Sequence, residues 1–195
     1  MQAFETANME WTKIGTQIWS AKNLDVDTFR NGDSIPQVTA NEEWEKVCLA
    51  KQPAWCYYNN DPANDSAYGK LYNWYAVNDP RGLAPSGWHV ASNEEWKLLT
   101  EFLGGSLVAG KKLKSKQGWE RDGNGSNETN FSALPAGERH GDGEFSSLGS
   151  LTAWYTSSEH LREYAWEYYM YYFDDHLRTS HIRKNGGFSV RCVRD

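Results

Sequence analysis

The ten tryptophans of this chain are spread from Trp11 to Trp166, and they constrain the interior it can build. Mean hydropathy is low, at −0.77. Such a chain must bury its apolar surface through isolated, bulky side chains separated by polar turns. Eleven tyrosines and seven phenylalanines extend the pattern, and Tyr and Trp also favour interfaces because each carries a polar handle. The 195 residues suit one domain with a sizeable core.

A formal charge of −6 disfavours a phosphate-backbone partner, so no nucleic-acid role is expected. No stretch approaches the roughly 20 apolar residues of a membrane span, so no membrane insertion is expected. Met1 to Trp11 has no basic region followed by an apolar run, so no signal peptide is expected there. The expectation is a mature fragment of an exported protein, or one delivered without secretion, as phage structural proteins are.

Local signals suggest helices early and short strands late. Residues 1–12 read as a leader and 13–195 as one domain without repeat or linker. A strand is expected in Ile14 to Leu24 and a turn at Asn31-Gly32-Asp33. Thr39 to Glu42 has capping-box form and precedes a short helix with Trp44, Val47 and Cys48 inward, stopped before Pro53. Tyr68, Leu71, Tyr72 and Tyr75 follow helical spacing and predict a second helix. Ser92 to Glu95 is another capping box, with Trp96, Leu99 and Leu103 as the buried stripe and Gly104-Gly105 as the stop. Lys111 to Phe131 is polar and reads as loop, and Phe188 to Val193 as a closing strand with Val190 and Cys192 on one face. The order predicts an α+β fold rather than alternating βαβ units.

Reactive residues give no catalytic or metal constellation. Cys48, Cys56 and Cys192 lack zinc spacing, and their odd number argues against a full disulfide framework. Two arrangements are open for Cys56 and Cys192: a disulfide if the ends of the chain meet, or buried free thiols. None of His89, His140, His160, His176 and His181 has a helical i, i+4 partner. Asp122 to Glu128 alternates oxygen side chains but lacks the carboxylates of a calcium loop, so a solvated turn is expected there and at Asn59-Asn60-Asp61. The expectation is no enzyme, no cofactor and no metal.

Several segments together carry a resemblance. They are Ile14 to Trp19 with Asn23-Leu24, Ala54 to Asp61, Tyr68 to Val77, Gly87 to Val90, Phe131 to Pro135, Trp154 to Glu159 and Gly187 to Arg194. In this order they resemble the Fibrobacter succinogenes major paralogous domain over residues 13–195. The resemblance implies a C-type-lectin-like fold of the formylglycine-generating-enzyme type. That fold has two main helices, a small antiparallel sheet joining the termini, and long loops forming a display face. Some members resemble the variable proteins of diversity-generating retroelements. The active-site cysteine pair of the enzymatic relatives would require Cys56 and Cys192 to meet and be accessible, whereas their apolar motifs suggest burial. The Glu-Pro-Asn signature of calcium-dependent sugar binding is missing.

The segment Trp154 to Phe173 bears on that implication. Tyr168, Tyr169, Tyr171, Tyr172 and Phe173 are interrupted only by Met170. A strand alternates faces, so these rings divide between two sides. They either sit between core and loops or form a paratope-like surface, where tyrosine gives contact area at low entropic cost. An asparagine codon of the AAY type, randomised at its adenines, cannot yield Trp, Met, Lys, Gln or Glu, and residues 171–183 contain none of these. Glu159, Glu163, Glu167 and Met170 are unreachable in that way and would be fixed by the template. With Trp166, Tyr168, Met170 and Tyr172 inward, the predicted ligand-binding face is Glu167, Tyr169, Tyr171, Phe173, Asp175, His176, Arg178, Ser180, His181 and Arg183. The expected function is binding of an unknown protein or cell-surface ligand at a bacterial surface or phage particle. The alternative is an invariant adhesin or structural module of a surface lipoprotein.

Overall fold

A computed structural model describes residues 9–195. Residues 1–8 of the expected leader lie outside the described residues, and Trp11 and Thr12 already belong to a strand. The chain opens with a hairpin, β1 (Trp11–Ile14) and β2 (Gln17–Ser20). Helix α1 (Asn41–Leu49) follows, then β3 (Trp55–Cys56), a short α2 (Asp65–Tyr68), β4 (Leu71–Tyr72) and a short α3 (Trp74–Val77). Strand β5 (Trp88–Val90) leads into α4 (Asn93–Phe102) and α5 (Ser106–Leu113). The second half is mostly sheet: β6 (Ala136–Arg139), β7 (Phe145–Leu148), β8 (Leu151–Leu161), β9 (Tyr164–Tyr171), β10 (Arg178–Arg183) and β11 (Cys192–Arg194). The architecture is mixed α+β.

Three sheets organise these elements. The first has the order β1-β2-β11-β5, so the last strand lies between the opening hairpin and β5, all antiparallel. The second has the order β10-β9-β8-β6-β7 and is antiparallel except where β6 meets β8 at Gly137 and Thr152. The third is the pair β3-β4. Among the described residues no helix is long and apolar enough to cross a membrane.

Eight of the ten tryptophans are buried. Trp96 is the centre of one cluster: Trp19 meets it edge-on at 4.9 Å, Tyr168 stacks on it at 5.0 Å and Trp154 tilts against it at 5.2 Å. A second cluster joins Trp55, Tyr72, Trp74, Tyr155 and Phe188, and a third gathers Trp44, Cys48, Cys56 and Tyr58. Buried cations lie over several of these rings. The Arg191 guanidinium is 4.1 Å from the Phe131 centroid and donates to the Ser20 and Phe131 carbonyls and to Asn23 Oδ1. Burial pushes its pKa down to about 9. Arg139 sits over Trp44 and gives its protons to the carbonyls of Gly143, Val38 and Thr39. A buried charge is tolerable when its donors meet carbonyls and amide oxygens in this way.

Two expected elements differ. The periodic run Tyr68 to Tyr75 is not one helix. Gly69 adopts φ +70°, and a Cβ there would lie 2.9 Å from the Leu24 carbonyl oxygen. The chain therefore leaves the helix, pairs Tyr72 with Trp55, and restarts at Asn73, whose side chain caps α3. The capping box at Thr39 does not form either. Ala40 occupies the cap of α1, and the Thr39 carbonyl instead accepts from Arg139 and Asn60. The Ser92 box forms in full, with Ser92 Oγ accepting from Glu95 N and the Glu95 carboxylate accepting from Ser92 N. Helix α5 starts before the stretch from Lys111 expected as loop and ends inside it. At eight residues it is comparable to α1 and α4, which makes three substantial helices rather than two.

Candidate functional site: the β9–β10 strand pair

Strand alternation sorts β9 as the sequence predicts for Tyr168 and Met170, which are buried with Trp154 and Trp96. Trp166, expected inward on the same side, is only half-buried; it meets His160 and His181 at the far end of the strand. On the opposite face stand Ala165, Glu167, Tyr169 and Tyr171. Across β10 the pairs are Tyr169 with Arg178, Glu167 with Ser180 and Ala165 with Ile182. Paired residues share a face, so Arg178 and Ser180 join the tyrosines while Thr179, His181 and Arg183 project the other way.

The ten predicted site residues are thus not one surface. Glu167, Tyr169, Tyr171, Arg178 and Ser180 form one group, and Phe173 continues it beyond the strand. Tyr169 meets Tyr171 edge-on at 5.7 Å, and Tyr171 stacks on Phe173 at 5.0 Å. The Arg178 guanidinium lies 5.6 and 5.7 Å from the Tyr171 and Phe173 centroids and pairs with Asp174 through both oxygens. That hydrogen bonding holds the Asp174 carboxyl below its usual range. His181 belongs to a second aromatic patch, stacked on His160 at 4.4 Å beside Tyr164 and Trp166. Arg183 is exposed on that side, and Asp175 and His176 lie in the turn between the strands. Glu167 departs furthest from expectation: it is 8 % exposed, covered rather than displayed. Burial, then the charge of Glu138, raises its pKa to about 7.

The turn itself is held from below. Lys114 is buried, donates to the carbonyls of Tyr171 (2.6 Å) and Asp174 (2.7 Å), and lies over Trp119. Leu177 N donates to the Ser106 carbonyl, and the Asp175 backbone packs on Gly110 of α5. No local sequence signal marks Lys114, because its partners lie far along the chain. The thiols offer little nucleophilicity. All three cysteines are free and buried, so the disulfide alternative is not realised. Burial raises Cys56 and Cys192 to about 12 and Cys48 to about 11. His89 on β5 bridges Asp195, just after β11, and Glu95 of α4 at 2.7 and 2.6 Å, a structural link. Among the described residues no group of three His, Cys, Asp or Glu is placed to hold a metal ion.

No curated protein and no solved structure matches this chain. The model of one family, the Fibrobacter succinogenes major domain, matches residues 12–194. That match spans nearly the whole chain, which belongs to the Fibrobacter succinogenes major domain family.

Proposed function

We propose that this protein is a non-catalytic ligand- or receptor-binding protein whose β9–β10 strand pair carries a surface diversified by a retroelement. The fold reading that goes with it is C-type-lectin-like, and the expected setting is a bacterial surface or a phage particle. The observation that carries the reading is the Tyr169–Tyr171–Phe173 ladder. It is a row of partly open rings on a strand whose opposite face is locked into the Trp96 cluster. Backbone pairing of β9 with β10 is continuous from Tyr164 to Tyr169, so the main chain helps hold the register when exposed side chains change. The turn is fixed through backbone carbonyls, which survive any substitution of the residues that carry them. Tyrosine-rich, pre-ordered surfaces of this kind bind proteins well. The buried, high-pKa thiols support a non-enzymatic reading.

The invariant-module alternative draws on a different observation. Leu98, Phe102 and Leu107 are exposed on α4 and α5, which suits packing against another domain. Sequencing many copies of the 3′ end of the gene from its source population separates the two. Changes confined to codons for about Glu159 to Arg183, at adenines of a template repeat, are expected. A uniform 3′ end would replace the diversified face with the invariant module.

A further inference from the structure

Strand β10 ends its sheet, whose order is β10-β9-β8-β6-β7. It pairs with Tyr164 to Tyr169 without a shift of register. Lys184 N donates to the Glu163 carbonyl, one step past the pair Arg183–Tyr164. Bonded and non-bonded pairs alternate in an antiparallel ladder, so Arg178, Ser180 and Ile182 bond to β9. Thr179, His181 and Arg183 then turn their main-chain groups away from it. The other side of β9 gives the same parity. Tyr172 N donates to the Ser150 carbonyl, so Met170 and Tyr168 bond β8, which leaves Tyr169 and Glu167 to bond β10. The Tyr155 hydroxyl donates to the Arg183 carbonyl. The Arg183 N–H and both main-chain groups of Thr179 and His181 meet no partner among the described residues. All three residues are exposed. The far edge of the sheet is less regular. Strand β7 has four residues, and Ser147 within it stands at φ +67°, which interrupts the row of donors and acceptors. Strand β10 has no proline, register shift or left-handed residue. An unbroken edge of this kind is a template for another strand.

Charge selects the strand that fits. Arg178, His181 and Arg183 stand on β10 with no acid among them, in a chain whose net charge is −6. Arg178 is paired with Asp174, whereas Arg183 is exposed and donates to no carboxylate among the described residues. A second copy of β10, with the three outward residues in register, would set His181 against His181 and crowd the arginines of both copies together, which like charges oppose. We propose that β10 accepts an added strand, an extended acidic segment of a partner protein, hydrogen-bonded to Thr179, His181 and Arg183 with carboxylates at alternate positions facing His181 and Arg183. The inference rests on the reading of the strand pair as a binding element and names the class of its partner. In such additions main-chain bonds supply affinity and side chains supply choice. The outward main-chain groups stay in place when side chains change, so a varying face keeps a constant means of attachment.

The test adds the peptide acetyl-Thr-Val-Glu-Val-Glu-Val-Thr-amide to the intact, nitrogen-15-labelled protein. One control carries lysine in place of both glutamates, and the other is N-methylated at both glutamates. The amide signals of Thr179, His181 and Arg183 are expected to shift saturably, with half-saturation at about 1 mM or below. Either control should bind at least about tenfold more weakly. His181→Pro removes one outward N–H where an edge strand tolerates proline, and it should abolish binding. Arg183→Glu leaves the main chain intact and should shift the preference toward the lysine peptide, which keeps the test decisive if the proline variant fails to fold. Equal binding of either control overturns the proposal, as do shifts confined to the Tyr169–Phe173 ladder or no saturable response up to about 10 mM. Binding retained by a folded His181→Pro variant, or an unchanged preference in Arg183→Glu, also overturns it. If gene copies vary at the 3′ end while the peptide leaves the β10 amides unmoved, the binding face stands and strand addition falls.

Discussion

Glu167 makes the stability of the fold depend on pH in an uncommon direction. Its carboxyl rises from an ordinary 4.5 to about 7 because burial disfavours the charged form. The native state therefore holds its proton more tightly than the unfolded chain does. The contribution is fully present below about pH 4.5 and is lost as pH rises through about 7. Relative to Glu167→Gln, which cannot ionise, the unmodified protein should lose up to about 3 kcal/mol of stability between pH 5 and 8. Urea unfolding of both proteins at the two pH values checks this; parallel behaviour would show that Glu167 titrates as an exposed acid. The sequence reveals half of this site. Alternation alone places Tyr168 and Met170 inward and Tyr169, Tyr171 and Phe173 outward. It does not reveal that Glu167 is buried, because its neighbourhood is assembled by pairing between segments distant in sequence. Nor does it separate His181 and Arg183 from Ser180, since the turn length that sets the phase of β10 depends on Lys114 and α5.

Elements are legible where their signals are local. The Ser92 capping box needs only residues within one turn, and α4 starts and packs as its pattern dictates. The Tyr68 to Tyr75 run has a helical period yet yields to Gly69 and to pairing with Trp55, both tertiary effects. Helix α5 is hidden because its buried positions are Ala109, Gly110 and Leu113, a weak stripe between lysines. Gly110 carries a test. Alanine in a helix interior is ordinarily better than glycine by about 1 kcal/mol. Here its Cβ would stand 2.6 Å from the Asp175 carbonyl oxygen, which belongs to the β9–β10 turn. Gly110→Ala should therefore destabilise by about 1–3 kcal/mol, against its propensity. Thermal unfolding gives the sign, and a raised midpoint would mean that the turn does not rest on α5.

At the scale of the molecule, rigidity and tolerance are divided by face. Trp96 is fully buried among Trp19, Trp154, Phe131 and Tyr168, whereas Phe173 is 59 % exposed. Trp96→Ala should cost about 3–5 kcal/mol, and Phe173→Ala no more than about 0.5 kcal/mol. Denaturant midpoints of the two variants measure the contrast; comparable losses would show that the open ladder is part of the core. A fold arranged in this way can tolerate change at Phe173 while its tryptophans hold the frame.

The position of β11 adds a consequence in the order of synthesis. Val193 pairs with Trp19 on one side and His89 on the other, so the strand that joins the opening hairpin to β5 is made after β8, β9 and β10. A ribosome must read through β8, β9 and β10 before that sheet can close. Any copy whose reading frame is lost between Trp154 and Arg183 lacks the joining strand and leaves Trp19 and Val90 without their partners. Faithful translation across β8, β9 and β10 is thereby a condition for closing a sheet to which none of the three belongs.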